Sequence, residues 1–276
     1  MKWGLVLSGG AALGLSNAGV LRVLEAENLK SDSIAGSSMG AIIGALYAYT
    51  GSTAALEKLC DSLTLTNAAR LSDNPLKDGL HGGLFRQHLA LHLDEYLGDA
   101  TIADCRIPFV CVAGRVKKPV DWLRIVRPGF TDHILECVEV HVFEPQTRLI
   151  DAIMASSAIP VIFSPVKIGK DTFVDLVHFG AIPARTLRSM HNPDVIIATD
   201  TNPEYGALVN LLPASWKEFL DRGYAELEKS KRSCDLVIRP AAPAAVFRFD
   251  KASAFLEAGE KAAREKLPEI VALLKR

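Results

Sequence analysis

Residues 33–40 read Ser33-Ile34-Ala35-Gly36-Ser37-Ser38-Met39-Gly40 and run directly into the apolar stretch Ala41-Ile42-Ile43-Gly44-Ala45-Leu46-Tyr47-Ala48-Tyr49. A short apolar strand, a G-x-S-x-G turn and an apolar helix in succession form the pattern of a nucleophile elbow. There a serine sits on a sharp strand-to-helix turn, and its neighbours must be glycine to leave room. Gly36 and Gly40 bracket Ser38, which makes Ser38 the candidate nucleophile. The same position is also the ordinary place for a helix N-cap serine. Either way the chain passes here from strand to helix.

The alternation extends in both directions. Trp3–Leu7 is a short apolar run entering a Ser-Gly-Gly loop, and Ala12–Glu27 carries Val20, Leu21, Val23 and Leu24 at helical spacing before a stop near Asn28. Ser33–Ala35 is the second strand and Met39–Thr50 the second helix. Downstream, Leu84–Leu97 predicts a helix, Phe109–Ala113 a buried strand, Ala152–Ser157 a short helix, and Lys167–Val174 a hairpin around Gly169-Lys170. Val195–Thr199 and Leu236–Arg239 predict further strands. About 60 C-terminal residues are mostly helical, with Trp216, Phe219, Leu220 and Leu227 forming an apolar stripe. Strands alternating with helices predict a three-layer α/β/α fold around a mostly parallel sheet. Sites in such sheets lie at the carboxyl ends of strands, where both glycine-rich turns fall.

Composition bounds the rest. A chain of 276 residues with 49% apolar content can bury roughly three quarters of its unfolded surface. Without a linker, low-complexity tract or repeat, residues 1–276 are expected to form one domain. A formal charge of −1 leaves no electrostatic footprint for nucleic acid. Five widely spaced cysteines without C-x-x-C pairing read as thiols of a reducing compartment. Gly9, Gly10 and Gly14 interrupt the apolar N-terminus, which fits a secretory signal badly, and charges or breakers cut every candidate membrane span. The expectation is a soluble, cytoplasmic protein, peripheral to a membrane at most.

The first strand ends in Ser8-Gly9-Gly10-Ala11-Ala12-Leu13-Gly14, a loop of small residues before a helix. Such a nest of backbone N–H groups can bind a phosphate or a developing oxyanion. A dinucleotide fingerprint needs glycine at i, i+2 and i+5, but counting from Gly9 the middle position is Ala11, and no strand-end acid follows near Ile34-Ala35. As an oxyanion hole the loop fits better, because the second strand delivers Ser38 to the same sheet edge. The expected donors are Gly9, Gly10 and Ala11, with a contribution from Met39.

At this point the chain resembles the patatin-like phospholipases, bacterial members in particular. LVLSGGAALGLSNAGVLRVLE is similar to their opening strand, oxyanion loop and helix, and IAGSSMGAIIGALYA to their elbow. LIDAIMASSAIPVIFSPVKIGKDTFVDLVHFGAIPA resembles the stretch running from an A-S-x-A-x-P helix end through a hairpin to the catalytic aspartate. That alignment, pinned by Ser157-Ala158-Ile159-Pro160 and Pro183, places the acid at Asp175. The resemblance implies acyl-ester hydrolysis through a Ser38/Asp175 dyad and an acyl-enzyme. It also implies a lipid or acyl-ester substrate, transient contact with a membrane surface, and no metal or organic cofactor.

Three departures stand out. Leu176-Val177 replaces two small residues after the aspartate, Ala11 replaces a loop glycine, and Leu13 stands where a basic residue is usual. They motivate an alternative: a patatin fold with impaired catalysis that binds a lipid or a partner. A Ser-His-Asp hydrolase using His178 or His191 conflicts with the order of loop and elbow along the chain. His88 and His92 lie at i, i+4 near Asp94 and Glu95 but lack the glutamate of H-E-x-x-H, so no metal site is expected. Arg115, Lys117, Lys118, Arg124 and Arg127 read as a solvated hairpin or a contact for anionic headgroups, and Leu80, Leu84 and Phe85 as core or acyl-chain pocket.

Overall fold

The structure is a computed structural model that describes residues 1–65, 93–121, 124, 127–160, 163–203, 212–245 and 248–275. Its strands are β1 (Trp3–Leu7), β2 (Ser33–Gly36), β3 (Phe109–Val116), β4 (Val138–Val142), β5 (Val166–Ile168), β6 (Asp171–Val174), β7 (Val195–Thr199) and β8 (Leu236–Ile238). They form one sheet in the order β5-β6-β3-β2-β1-β7-β8, with β4 paired to β3. The pairs β3-β2, β2-β1, β1-β7 and β7-β8 are parallel; β3-β4, β3-β6 and β5-β6 are antiparallel. The fold is therefore the mostly parallel α/β/α arrangement expected, with an antiparallel extension at one side.

Every residue of β1 and β7 is buried, as continuous apolar runs covered on both faces require. Alternate residues face different layers. Leu5, Leu7 and Ile34 join a core with Leu21 and Leu24 of α1 (Ser16–Ala26), Ile42 and Leu46 of α2 (Met39–Thr50), Leu56 of α3 (Ala54–Leu65) and Phe255 of the long C-terminal helix. Val6, Ala35, Ile196 and Ala198 join a second core on the other face with Leu187 and Leu227.

Further along the chain are α4 (Phe130–Cys137), α5 (Leu149–Ser156), α6 (Ala184–His191), α7 (Ala214–Lys231) and α8 (Ala252–Leu274). The predicted helix over 12–27 divides into a 3-10 turn, Ala11–Leu15, followed by α1. The tighter turn lies where Gly14 meets the elbow, with an added Cβ only 2.5 Å from that of Met39. β3 runs past Ala113 to Val116 because its outer half pairs with β4. The predicted helix over 84–97 falls largely outside the described residues, although 93–97 are helical; Leu80, Leu84, Phe85, His88 and His92 lie outside them as well. Among the described residues no helix is long and apolar enough to cross a membrane.

Candidate active site

Three loops leave the carboxyl ends of parallel strands side by side: Ser8–Gly10 after β1, Ser37-Ser38 after β2, and Asp200–Asn202 after β7. Crowding there dictates the residue types. A Cβ at Gly40 would stand 2.1 Å from the Leu7 carbonyl oxygen, and one at Gly10 would stand 1.8 Å from that of Thr201. Neither backbone can retreat, since Leu7 and Thr201 are both fully buried. Gly36 is equally confined by α2, with a Cβ 2.6 Å from the Ala41 Cα.

Ser38 adopts φ 52°, ψ −128°, which L-residues rarely occupy, and its side chain makes no capping hydrogen bond to α2. The side chain instead lines the same cleft as Asp175 and acts to lower the pKa of that carboxyl. The Ser38 N–H, at a helix start where no intrahelical acceptor exists, donates to Ser156 Oγ at 2.8 Å. Ser156 Oγ in turn donates to the Val112 carbonyl of β3 at 2.6 Å.

Asp175 follows β6 and is almost fully buried. Burial pushes its carboxyl up to about 6, against the opposing pull of hydrogen bonds from the Ser38 hydroxyl and the Val177 N–H. The Val177 bond, 2.7 Å to Oδ1, closes a local turn. The Asp175 N–H donates to the Ala158 carbonyl at 2.8 Å. Val177 takes φ 50°, an outlier for a β-branched residue, and Ala11 takes φ 49°. Both stand where the sequence departs from the resemblance with larger side chains.

The glycine loop is held from β7. Thr201 Oγ1 shares its proton between the carbonyls of Gly9 (3.0 Å) and Ser8 (3.2 Å), and the Thr201 N–H donates to Ser8 Oγ at 2.8 Å. One expected donor is differently employed: the Gly9 N–H donates to the Ala181 carbonyl at 3.3 Å. Behind the loop, Asp200 receives Asn202 Nδ2 at 3.0 Å and Lys231 Nζ at 2.9 Å. Burial on its own would raise the Asp200 carboxyl, but these hydrogen bonds outweigh it and hold the group below its ordinary value.

Ser38, Asp175, Gly9, Gly10 and Ala11 line one cleft of about 430 Å³. Its walls are apolar: Phe130 and Ile134 from α4, Val138 and Val140 from β4, Ile159 and Pro160 beyond α5, and Trp216, Phe219 and Leu220 from α7. Phe219 packs against Phe130 and Phe179 at centroid distances of 5.7 and 5.3 Å. His178 also lines the cleft, its ring 4.8 Å from that of Tyr224, and burial pulls it down to about 4, so it is neutral at pH 7. His191 lies at the end of α6, away from the cleft-lining set.

Sequence reasoning missed Ser156, Thr201 and Asn202; the A-S-S-A run around Ser156 served only as an alignment landmark. Part of the basic run is paired locally. Arg115 and Lys117 pair with Glu139 across the β3-β4 ladder, and Arg124 pairs with Asp121. The five cysteines are free thiols, and burial pushes Cys60, Cys105, Cys111 and Cys234 up to about 12. Among the described residues no group of three or more His, Cys, Asp or Glu could hold a metal.

The family model for patatin-like phospholipases matches residues 5–175, from β1 through the elbow to Asp175. The chain belongs to the patatin-like phospholipase family. It is 29% identical over 121 residues to lysophospholipase NTE1 of Coccidioides immitis, a match covering 38% of this chain and 8% of that one. It is 51% identical over 47 residues to the patatin-like phospholipase domain-containing protein ZK370.4 of Caenorhabditis elegans, covering 17% of this chain and 4% of the relative. The chain therefore spans a small fraction of the curated relatives it matches. The crystal structure of VipD from Legionella pneumophila shares the fold with a TM-score of 0.51 at 14% identity, over 97% of this chain and 67% of that one.

Proposed function

We propose that this patatin-like chain hydrolyses lipid-type carboxylic esters through an acyl-enzyme on Ser38, with Asp175 as the base. The observation that carries this reading is that Ser38 and a buried, basicity-enhanced carboxylate, whose pKa the Ser38 side chain acts to lower, line the same apolar cleft. A serine hydroxyl is a poor nucleophile until a base takes its proton, and a carboxylate held near the working pH is suited to that task.

In the proposed reaction Ser38 Oγ bonds to the ester carbonyl carbon while its proton passes to Asp175. The carbonyl oxygen becomes an oxyanion, which the N–H groups of Gly10, Ala11 and Met39 receive; the Gly9 amide, engaged to Ala181, serves the loop's shape instead. Collapse expels the alcohol, which takes the proton from Asp175. A water then attacks the acyl-enzyme, Asp175 accepts its proton, and the carboxylic acid leaves as Ser38 regains its hydrogen. Each oxyanion donor of this kind is typically worth ~2.7 to 4 kcal/mol of barrier.

The apolar walls suit an acyl chain. Leu135 and Val140, 40% and 55% exposed where they border the cleft, favour transient contact with the lipid aggregate that supplies the substrate. A phospholipid or lysophospholipid substrate is supported by family membership and by the NTE1 lysophospholipase relative.

The test is labelling with a fluorophosphonate, adduct mapping by mass spectrometry, and a p-nitrophenyl ester series. The expected result is an adduct on Ser38 and turnover that Ser38→Ala reduces by about 10³-fold or more. A well-folded wild-type protein that neither labels at Ser38 nor turns over any ester would instead favour the impaired, lipid-binding alternative.

A further inference from the structure

Ser156 and Ala158 stand two positions apart where the chain leaves α5, and each grips one of the two residues proposed to react. The Ser38 N–H donates to Ser156 Oγ at 2.8 Å, and that hydroxyl donates onward to the Val112 carbonyl at 2.6 Å. Two residues later the Ala158 carbonyl accepts the Asp175 N–H at 2.8 Å. The elbow arrives from β2 and the aspartate from β6, strands that do not pair with each other. Both backbones are referred to this one short segment.

We infer that Ser156 is a positioning residue: together with Ala158 it sets the separation of Ser38 and Asp175, acting on the Ser38 backbone and not on substrate. The inference rests on the hydrolase reading. A serine does not keep φ 52°, ψ −128° unaided, so the surrounding structure must hold it there. Ser156 supplies the acceptor that the N-cap amide of α2 lacks, in a place with no solvent exposure. Its own proton is spent on Val112, which fixes the direction in which its lone pair meets Ser38. Without this hydroxyl a buried N–H and a buried C=O lose their shared partner. The turn then relaxes toward ordinary dihedrals and carries Oγ away from the carboxylate. Ser157 supplies the contrast, since its hydroxyl donates only to the Ile153 and Met154 carbonyls of its own helix.

The experiment compares wild type, Ser156→Ala, Ser156→Cys and Ser157→Ala on p-nitrophenyl butyrate, well below each melting temperature. It measures kcat, KM, the fluorophosphonate labelling rate and the pH profile. Displacing the pair by about 1 Å should cost Ser156→Ala about 10- to 100-fold in kcat with KM changed less than about twofold. The acid limb of its profile should move to higher pH, because the Ser38 hydrogen bond that favours the carboxylate is weakened. Among the described residues, Asp175 and His178 are the titratable side chains lining the cleft, and His178, at about 4, stays neutral through that window. Ser156→Cys, close in size but a weak hydrogen-bonding partner, should show the same limb shift with a smaller rate loss. Ser157→Ala should match wild type within about twofold. A merely structural role lowers the melting temperature without moving the limb. A folded Ser156→Ala or Ser156→Cys with an unmoved limb overturns the inference. Wild type that neither labels nor turns over overturns the hydrolase reading instead.

Discussion

Replacing Asp175 by asparagine should destroy activity and, above neutral pH, make the protein more stable. The carboxyl is raised from 3.8 to about 6, chiefly by burial. At ~1.4 kcal/mol per pH unit that rise corresponds to roughly 3 kcal/mol. Its folded value lies above its unfolded one, so folding takes up a proton between pH 3.8 and about 6. Stability therefore falls as pH rises through this window, and the cost is fully present above it. Asparagine is neutral throughout, and its Oδ1 can still accept the Val177 N–H. Asp175→Asn should exceed wild type by up to roughly 3 kcal/mol at pH 8, about 5 °C in melting temperature for a chain of this length, and match it near pH 4.

Activity should move the opposite way. Loss of a general base costs about 10² to 10⁴-fold, and the wild-type kcat/KM should fall tenfold per pH unit below about 6. The assays are thermal melts of both proteins from pH 4 to 8 and ester hydrolysis over the same range. A variant no more stable than wild type at pH 8 would refute the claim that burial raises this carboxyl. A variant with wild-type turnover would remove Asp175 from the reaction.

Val177→Gly should raise stability by about 0.5 kcal/mol, because relief of a β-branched side chain at φ 50° outweighs the added freedom of glycine in the unfolded chain; a chemical denaturation midpoint below wild type would contradict this. Lys231→Met should lose about 3 kcal/mol, because Asp200, 1% exposed, would keep a buried charge with only Asn202 and the distant Arg239 to offset it. The same lysine change on an Asp200→Asn background should cost far less, which a double-mutant cycle of melting temperatures measures.

What the sequence made legible was local in origin. The elbow could be read because β2, the turn and α2 occupy consecutive residues, and the glycines it needs leave a pattern in the letters. β1 and β7 were equally plain, since strands covered on both faces are continuous apolar runs. β4 went unread: Val138-Glu139-Val140-His141-Val142 alternates, but its valines are half-buried or exposed and two of them border a cleft, so the run carries little core signal. α6, polar and only eight residues long, offers no apolar period to detect. Ser156 could not be found at all by spacing, because its partner is 118 positions away. Asp175 was reachable only by resemblance, since Asp-Leu-Val carries no pattern of its own.

The places where this chain resists its own stability are not scattered. Of the five non-glycine residues with positive φ among the described residues, Asn28 and Asn192 sit just past helix ends, where asparagine tolerates the left-handed region. The other three, Ala11, Ser38 and Val177, all line the cleft. Each such residue costs on the order of 1 to 3 kcal/mol, and the buried Asp175 adds a comparable amount. The proposed chemistry gives a use to both the buried carboxylate and the strained serine that line this cleft. The strain survives because the surroundings over-determine it: Ser156 holds the elbow, Thr201 holds the glycine loop, and Asp200 with Lys231 braces the segment carrying Thr201. Substitutions that relax this edge should therefore divide by position. Those at Val177, which touches the Asp175 carboxylate through its N–H and not its side chain, should gain stability at modest cost, whereas those at Asp175, the proposed base, should gain more and lose the chemistry.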